Sequence, residues 1–219
     1  MYPRRLLFLL PPETAHRVAT TALDALAPLF RRPTPRYPVT AFGLDFPNPI
    51  GLAAGFDKNA RHLPGLAALG FGFIEVGSVT ARPWAGNPRP RLFRLPADGA
   101  LINRMGLNND GAEAVAPRLA ARRIPIPVFV NVAKTPDPAL EGATAVADYV
   151  QSIRVLAPHA DAVVLNISCP NSGDGRTFED PEALAPLLDA ALAARGDKPL
   201  LVKLSPDLDP ATLATVVRL

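Results

Sequence analysis

The sequence has few of the residues that build disulfides and metal sites. It contains one cysteine, Cys169, and three histidines, His16, His62 and His159, in 219 residues. A single cysteine cannot form an internal disulfide, and histidines this far apart give none of the spacings typical of zinc sites. The composition therefore predicts a reducing compartment and a chemistry without a bound metal.

Long hydrophobic runs and an excess of one charge are also missing. The apolar run at residues 6–10 is far shorter than the roughly 20 residues that a spanning helix needs. A cleaved signal peptide is disfavoured because Pro11 and Pro12 end this run and no small-residue cleavage site follows. The 23 basic and 20 acidic residues nearly balance, and the basic residues are scattered. We therefore expect no membrane span and no nucleic acid partner.

Lysine is scarce, and its positions are informative. Only four of the 23 basic residues are lysines, namely Lys58, Lys134, Lys198 and Lys203. Lysine provides a compact ammonium group on a flexible stem, which an arginine fork cannot replace in a tight pocket. Lys58 and Lys203 are at the ends of predicted strands, where a fixed positive charge suits a phosphate, a carboxylate or a flavin ring that becomes anionic on reduction.

The first 36 residues predict a separate helical extension. Residues 12–30 place alanine, valine and leucine at helical spacing, and a shorter apolar segment precedes Pro11. Two such helices could lie on a membrane surface or pack on their own domain, and periodicity does not distinguish the two. The arginine- and proline-rich residues 31–36 then predict a boundary, which leaves residues 37–219 as a second domain.

Short apolar runs, polar tips and helical stretches alternate through this second domain. Five runs rich in valine, isoleucine and alanine are predicted as strands: residues 49–54, 73–78, 128–133, 162–167 and 200–204. The helical stretches between them are residues 60–69, 111–123, 144–156 and 181–195. Continuous apolar strands that alternate with helices predict an α/β fold with a parallel sheet.

Two closures of this sheet are open: a doubly wound sheet or a (β/α)8 TIM barrel. A dinucleotide-binding doubly wound sheet usually carries GxGxxG after its first strand, and this sequence lacks it. Each predicted strand instead ends in polar side chains, which a barrel gathers on its carboxyl-terminal face. The barrel is therefore the favoured fold class. Because about five of eight βα units are found, we expect it to be C-terminally incomplete.

Four asparagines accompany the lysines near strand ends or in glycine-rich loops: Asn103, Asn131, Asn166 and Asn171. Asparagine offers both a donor and an acceptor without charge, which suits the edge of a heterocycle. A single asparagine at a strand end is more often a turn former. Four of them, with lysines nearby, favour a ligand site.

Cys169 lies just after a predicted strand, in a loop of proline, asparagine and glycine. A thiol with an ordinary pKa of about 8.5 can act as a base once a nearby cation favours the thiolate. The residues alone leave two interpretations open, a general base and an inert buried thiol.

Five motifs, in order along the chain, closely resemble the dihydroorotate dehydrogenase family, class 2 or quinone-dependent type. They are GLAAGFDKN at 51–59, GSVTARP at 77–83, NPRPRLFRL at 87–95, INRMGLNN at 102–109 and NISCPN at 166–171. The resemblance runs from about Tyr2 to the last residue and identifies the sequence with the N-terminal part of such an enzyme.

The resemblance implies a barrel that binds FMN and oxidises dihydroorotate to orotate in pyrimidine synthesis. The residues implied to contact FMN are Ala54, Gly55, Phe56, Asp57, Lys58, Ser78, Asn131, Asn166 and Lys203. Those implied to hold the substrate are Lys58, Asn103, Arg104, Met105, Gly106, Leu107, Asn166 and Asn171. Cys169 falls at the position of the catalytic base that removes the C5 proton while hydride leaves C6.

The resemblance also implies a role for the N-terminal helices. They would form a peripheral hood on the cytoplasmic face of the cell membrane, under which a membrane quinone reaches the flavin. Arg94 and His16 are implied to lie on the path of the quinone.

Three features depart from the class 2 pattern. Cys169 replaces the usual serine and is typical of the soluble class 1 enzymes, Leu107 replaces phenylalanine, and residues 171–176 replace a Thr-Pro-Gly-Leu-Arg segment. The quinone-dependent enzyme is the leading hypothesis. A class 1-like soluble enzyme with another acceptor and an inactive, truncated half-barrel are the alternatives.

Overall fold

The computed structural model of the protein describes residues 4–29, 37–168 and 177–219. The strands in these ranges are β1 Val39–Ala41, β2 Leu44–Phe46, β3 Gly51–Leu52, β4 Phe73–Val79, β5 Leu92–Leu95, β6 Ala100–Asn103, β7 Val128–Val132, β8 Ala162–Asn166 and β9 Leu200–Lys203. The α-helices are α1 Arg4–Leu7, α2 Pro12–Leu26, α3 Leu63–Ala67, α4 Ala112–Ala120, α5 Gly142–Leu156, α6 Pro181–Ala194 and α7 Pro210–Val216. Two short 3-10 helices, Ala157–His159 and Thr177–Glu179, follow α5 and precede α6.

Five parallel strands form the central sheet, in the order β3-β4-β7-β8-β9. This is also their order along the chain, so the order does not reverse within the described residues. Parallel neighbours need a crossover, and α3, α4, α5 and α6 each lie between two successive strands. The predicted α/β fold and its parallel sheet are confirmed, and each strand begins and ends within two residues of its predicted bounds.

The two faces of the sheet pack against different layers. Ile74 and Val130 on one face are fully buried in the main hydrophobic core, together with apolar residues of the helices. Phe129 and Val164 on the other face pack in a smaller cluster with Phe46 of β2. Because successive side chains of a strand point to opposite faces, the helices cover one face and the β1–β2 hairpin covers the other.

The β1–β2 hairpin is an element that the sequence pattern does not predict. Its two-residue turn, Phe42 and Gly43, has positive φ at both positions, 57° and 74°. That geometry belongs to the tight turn that suits the twist of antiparallel strands. Phe46 meets the rings of Phe73 and Phe129 edge-on, with centroids 5.6 and 6.0 Å away. The hairpin thus covers this face of the sheet near the amino-terminal ends of β4 and β7.

A second unpredicted hairpin joins β5 and β6. The two strands pair antiparallel, with Leu92 opposite Asn103. Asn103 therefore ends a strand of this hairpin and not a strand of the central sheet.

The N-terminal helical pair is present, with α1 and α2 separated by Pro11. Pro12 occupies the first helical position, where its missing N–H costs nothing. The predicted boundary at residues 31–36 lies outside the described residues. In the part of the chain that the structure describes, no helix has the length and apolar character needed to cross a bilayer.

Candidate active site

Four polar side chains that the sequence predicts as site residues lie at the carboxyl ends of neighbouring strands of the central sheet. They are Ser78 on β4, Asn131 on β7, Asn166 on β8 and Lys203 on β9. Asn166 Nδ2 donates a hydrogen bond to Ser78 Oγ at 2.9 Å, and the strand register places Lys203 directly opposite Asn166. Ser78, Asn131 and Asn166 are all buried. The structure brings these four predicted residues together.

A break in β4 turns Ser78 toward this cluster. The pairing of β4 with β7 shifts register between Val76 and Val79, as at a β-bulge. Gly77 within the break has a φ of +117°, and a Cβ atom there would lie 2.4 Å from the Asn131 carbonyl oxygen. Only glycine fits this backbone, and the bulge lets Ser78 reach β8, two strands away.

The loop after β3 is held against the same bulge. The Gly55 N–H donates to the Gly77 carbonyl oxygen at 2.7 Å, and the Gly77 N–H donates to the Asp57 carbonyl oxygen at 3.1 Å. These two bonds place residues 54–58, all predicted cofactor contacts, beside the end of β4.

The side chain of Asp57 organises this loop. Its buried carboxylate accepts hydrogen bonds from the backbone N–H groups of Asn59, Arg61 and His62, at 3.2, 3.0 and 2.7 Å. Because both oxygens are engaged within the loop, Asp57 shapes the turn that carries Lys58.

Glu75 is a site residue that the sequence analysis missed. Its Oε1 accepts a hydrogen bond from Asn131 Nδ2 at 2.7 Å, and its Oε2 accepts one from the Ala54 N–H at 3.4 Å. The signal in the sequence is a single carboxylate in the otherwise apolar strand FIEVGSV. Glu75 links two predicted cofactor contacts that are far apart in the chain.

The predicted substrate segment, residues 103–107, follows the β5–β6 hairpin. Asn87 holds it at two points, since its Nδ2 donates to the Arg104 carbonyl oxygen at 2.8 Å and its N–H donates to the Met105 carbonyl oxygen at 3.0 Å. Gly106 and Leu107 then turn the chain with φ values of 72° and 59°.

Asn109 fixes the end of this segment against β4. Its Oδ1 accepts from the N–H groups of Thr80 and Gly111, and its Nδ2 donates to Thr80 Oγ1 and the Leu107 carbonyl oxygen. Thr80 directly follows β4, so the substrate segment lies at the same end of the sheet as Ser78. Asn103 is exposed there.

Two predicted residues, Cys169 and Asn171, lie outside the described residues. The described chain before them ends in Ser168, whose N–H and Oγ contact Asn166 Oδ1 at 3.4 and 3.3 Å. Asn166 is thereby held from both ends of its amide, by Ser78 and by Ser168.

Comparisons with known proteins agree with this arrangement. Residues 37–218 match the family of dihydroorotate dehydrogenases. The chain belongs to the dihydroorotate dehydrogenase family. The resemblance drawn from the five sequence motifs is confirmed.

Curated relatives and solved structures of this family resemble most of the chain. The dihydroorotate dehydrogenase (quinone) of Leifsonia xyli is 51% identical over 220 residues, which cover 95% of this chain and 63% of the relative. That of Thermus thermophilus is 48% identical and covers 98% of this chain and 65% of the relative. The crystal structure of DHODH from Eimeria tenella in complex with ferulenol superposes with a TM-score of 0.78 at 31% identity, and covers 92% of this chain and 62% of that one. The chain thus spans less than two thirds of the length of these relatives.

The N-terminal helices, which precede the segment matched to the dihydroorotate dehydrogenase family, contact its Lys58 loop. His16 of α2 lies with Nε2 2.9 Å from the Phe56 carbonyl oxygen, and the two rings meet edge-on at 4.6 Å. Burial lowers the pKa of His16 and favours its neutral form. Further along α2, Asp24 Oδ2 lies 2.5 Å from His62 Nδ1. Helix α2 therefore contacts the loop both near the start of the helix, through His16, and near its end, through Asp24.

Arg94, implied to lie on the quinone path, holds the end of α1. Its guanidinium donates to the carbonyl oxygens of Leu10 and Leu7, at 2.8 and 3.4 Å, and lies 4.7 Å from the centre of the Phe8 ring. A cation at a helix carboxyl end satisfies carbonyl groups that have no partner within the helix.

An ion pair joins α2 to the residue that precedes β5. Arg91 donates from Nε and Nη2 to the two carboxylate oxygens of Glu13, both at 3.0 Å. Its Nη1 donates to the carbonyl oxygens of Ala85 and Asn87, at 2.7 and 3.1 Å. This pairing lowers the pKa of Glu13, with the Arg91 hydrogen bonds as the main cause.

Proposed function

We propose that the protein oxidises dihydroorotate to orotate with bound FMN and passes the electrons to a membrane quinone, as a step of pyrimidine synthesis. One observation carries this proposal: Ser78, Asn131, Asn166 and Lys203 meet at one end of the sheet in a chain of the dihydroorotate dehydrogenase family. The choice of a quinone as electron acceptor is supported by the curated relatives, which are named dihydroorotate dehydrogenase (quinone).

The proposed architecture is a (β/α)8 barrel to which residues 37–219 contribute the five described parallel strands, with residues 1–36 as a separate hood. A doubly wound sheet reverses its strand order at the point where ligands bind. Here the strand order does not reverse in the described chain, and the helices lie on one face. Site residues spread over the carboxyl ends of successive strands are typical of a barrel.

The residues fit a flavin. Asn131 Oδ1 is buried and accepts no hydrogen bond within the described residues, so an N–H group of a ligand would satisfy it. At Gly55, with a φ of +104°, the space that a Cβ would fill is open, which allows a ligand to approach the backbone. The residues that would hold FMN are Ala54, Gly55, Phe56, Asp57, Lys58, Ser78, Asn131, Asn166 and Lys203. FMN, when bound, supplies the acceptor for the hydride that leaves C6 of the substrate.

Binding and orientation of the substrate are proposed for Lys58, Asn103, Asn166, Asn171 and the segment from Arg104 to Leu107. Lys58 supplies the positive charge that a substrate carboxylate needs, and Asn103, Asn166 and Asn171 supply donors and acceptors for the pyrimidine edge. The segment from Arg104 to Leu107 is held rigidly by Asn87 and Asn109, which supports a positioning role for its backbone.

Cys169 is proposed as the base that removes the C5 proton. It follows Asn166, which Ser78 and Ser168 hold in place. Serine keeps a group able to accept this proton and alanine does not. Cys169→Ser is therefore expected to retain activity, and Cys169→Ala to lose at least about 100-fold in kcat. An active alanine variant would remove this assignment.

The hood is proposed to rest on the cytoplasmic face of the cell membrane. Leu6, Leu9 and Leu29 expose 67%, 81% and 78% of their surface, although leucine side chains favour burial. Exposed apolar residues on short helices and in the turns that follow them, beside a catalytic domain, suit a peripheral membrane contact. Membrane association that persists after deletion of residues 1–32 would contradict this proposal.

The acceptor is tested by following orotate formation from dihydroorotate with a soluble quinone analogue, and in parallel with fumarate or NAD. Turnover with the quinone alone supports the proposed function. Turnover with fumarate or NAD alone would favour the class 1-like soluble enzyme that Cys169 suggests. Absence of orotate with every acceptor would contradict the dehydrogenase activity itself.

A further inference from the structure

Glu75 is a carboxylate on the face of the central sheet that the β1–β2 hairpin covers, where its polar neighbours are Asn131 and Lys203 and the other side chains around it are apolar. Its neighbours across and along this face include Phe129, directly opposite it on β7, and Phe73, two residues before it on β4. Moving a charged group from water into such surroundings is unfavourable unless hydrogen bonds offset the loss. The partners of Glu75 therefore indicate what the carboxylate does.

The shorter of its two hydrogen bonds orients the amide of Asn131. A carboxylate only accepts hydrogen bonds, so the group that faces Glu75 Oε1 at 2.7 Å is the nitrogen of the Asn131 amide. The oxygen of the same amide then points to the other side. Asn131 has no exposed surface, and its Oδ1 accepts no hydrogen bond in the described chain.

An acceptor that is buried, oriented and unsatisfied is costly in a folded protein. The cost is removed when a ligand presents an N–H group to the oxygen. The oxidised isoalloxazine ring has one such group, its imide N–H. The orientation imposed by Glu75 therefore matches the chemistry of the cofactor in the proposed function.

We propose that Glu75 is a positioning residue for flavin binding: it fixes the Asn131 amide so that the oxygen, and not the nitrogen, faces the cofactor. The inference rests on the proposed function. The same carboxylate accepts from the Ala54 N–H at 3.4 Å and thereby ties the β3 loop to β7. That longer bond is the weaker of the two.

The test measures FMN affinity directly, by titrating FMN into apoprotein and following the quenching of flavin fluorescence. Glu75→Met keeps the length of the side chain but removes the acceptor, so the Asn131 amide can turn over. It should weaken FMN binding about tenfold, the usual effect of leaving one buried group mispaired. Glu75→Gln keeps an acceptor oxygen for Asn131 Nδ2 and should stay within about threefold of the wild type.

A double-mutant cycle separates positioning from a general structural effect. In an Asn131→Leu background there is no amide to orient, so adding Glu75→Met should weaken FMN binding by less than about twofold more. A further tenfold loss in that background would overturn the proposal, because Glu75 would then act through Ala54 or the fold. The proposal would also be overturned if Glu75→Gln lowered FMN affinity as much as Glu75→Met does.

Asp161→Asn is the matched control. This partly buried carboxylate accepts from the Val128 N–H at 2.7 Å at the amino-terminal end of β7, away from the site. It should change the stability of the apoprotein without changing FMN affinity. If the wild type binds FMN and Glu75→Met binds it with the same affinity, this inference is overturned and the proposed function stands. Wild-type protein that takes up no FMN would overturn the proposed function together with it.

Discussion

Replacing Glu13 by alanine should weaken the docking of the N-terminal helices on the rest of the protein. Glu13 is the only side chain of α2 that makes a two-pronged contact with a buried guanidinium in the described chain, that of Arg91. The side chain of Arg91 is 5% exposed, and that of Glu13 is 24% exposed. Without Glu13, the Nε and Nη2 donors of Arg91 lose the partners that the structure gives them, whereas Nη1 keeps its two carbonyl oxygens.

The expected magnitude follows from this burial. Removing one partner of a buried ion pair typically costs about 3–5 kcal/mol, because a charge stays buried without compensation. Since Glu13 is about a quarter exposed, water can reach part of the gap, and we expect the lower end, about 3 kcal/mol. That free energy corresponds to a shift of about 100-fold in the equilibrium between docked and undocked helices.

Arg89 provides a control on the same carboxylate. It lies 3.3 Å from Glu13 Oε2, but its side chain is 73% exposed. Exposed pairs contribute little, so Arg89→Ala should cost at most about 0.5 kcal/mol. Urea unfolding gives the free energies, and amide hydrogen exchange over residues 12–26 shows whether α2 itself is released. Equal losses for Glu13→Ala and Arg89→Ala, or unchanged protection of α2, would refute the reasoning.

Two further predictions concern the bulge in β4 and the stability of helix α2 in acid. Gly77→Ala should abolish FMN binding or lower stability by about 2 kcal/mol, because its Cβ would lie 2.4 Å from the Asn131 carbonyl oxygen at a φ of +117°. Gly99→Ala, at a φ of +61° with open space around it, should cost only about 1 kcal/mol, and thermal unfolding compares the two. The pKa of Glu13 is lowered by Arg91, so its stabilisation is complete above the ordinary carboxyl range and is lost as pH falls through the lowered pKa. Exchange protection of α2 should therefore fall only in acid, and a profile that is flat in acid would contradict the role of this ion pair.

The strands of the central sheet could be predicted because the physics that forms them is local. A strand buried on both faces needs apolar residues at nearly every position, and runs such as 128–132 and 162–166 have them. The first strand of the central sheet, β3, covers only Gly51–Leu52 of the predicted residues 49–54, and the chain turns soon after it at Gly55, whose φ is +104°. The β1–β2 hairpin escaped prediction because its strands have three residues each and its turn places Phe42, a poor turn residue, at positive φ.

The residues of the candidate site could likewise be predicted where they follow from the strand pattern, and could not where they depend on tertiary packing. Residues at the ends of parallel strands, such as Asn166 and Lys203, could be expected to meet because these ends share one edge of the sheet. Their partners could not, because contacts such as Glu13 with Arg91, 78 residues apart, depend on packing that no linear pattern contains. Glu75 carried a signal, a charge inside an apolar strand, but its partner Asn131 became visible only in three dimensions.

The most direct test of the proposed flavin site is an absorbance spectrum of the purified protein, reconstituted with FMN if needed, followed by anaerobic addition of dihydroorotate. The cluster at the carboxyl ends of β4, β7, β8 and β9 predicts stoichiometric flavin whose visible band bleaches with dihydroorotate and returns with a quinone. Protein that takes up no FMN, or bound flavin that stays oxidised when dihydroorotate is added, would contradict the assignment.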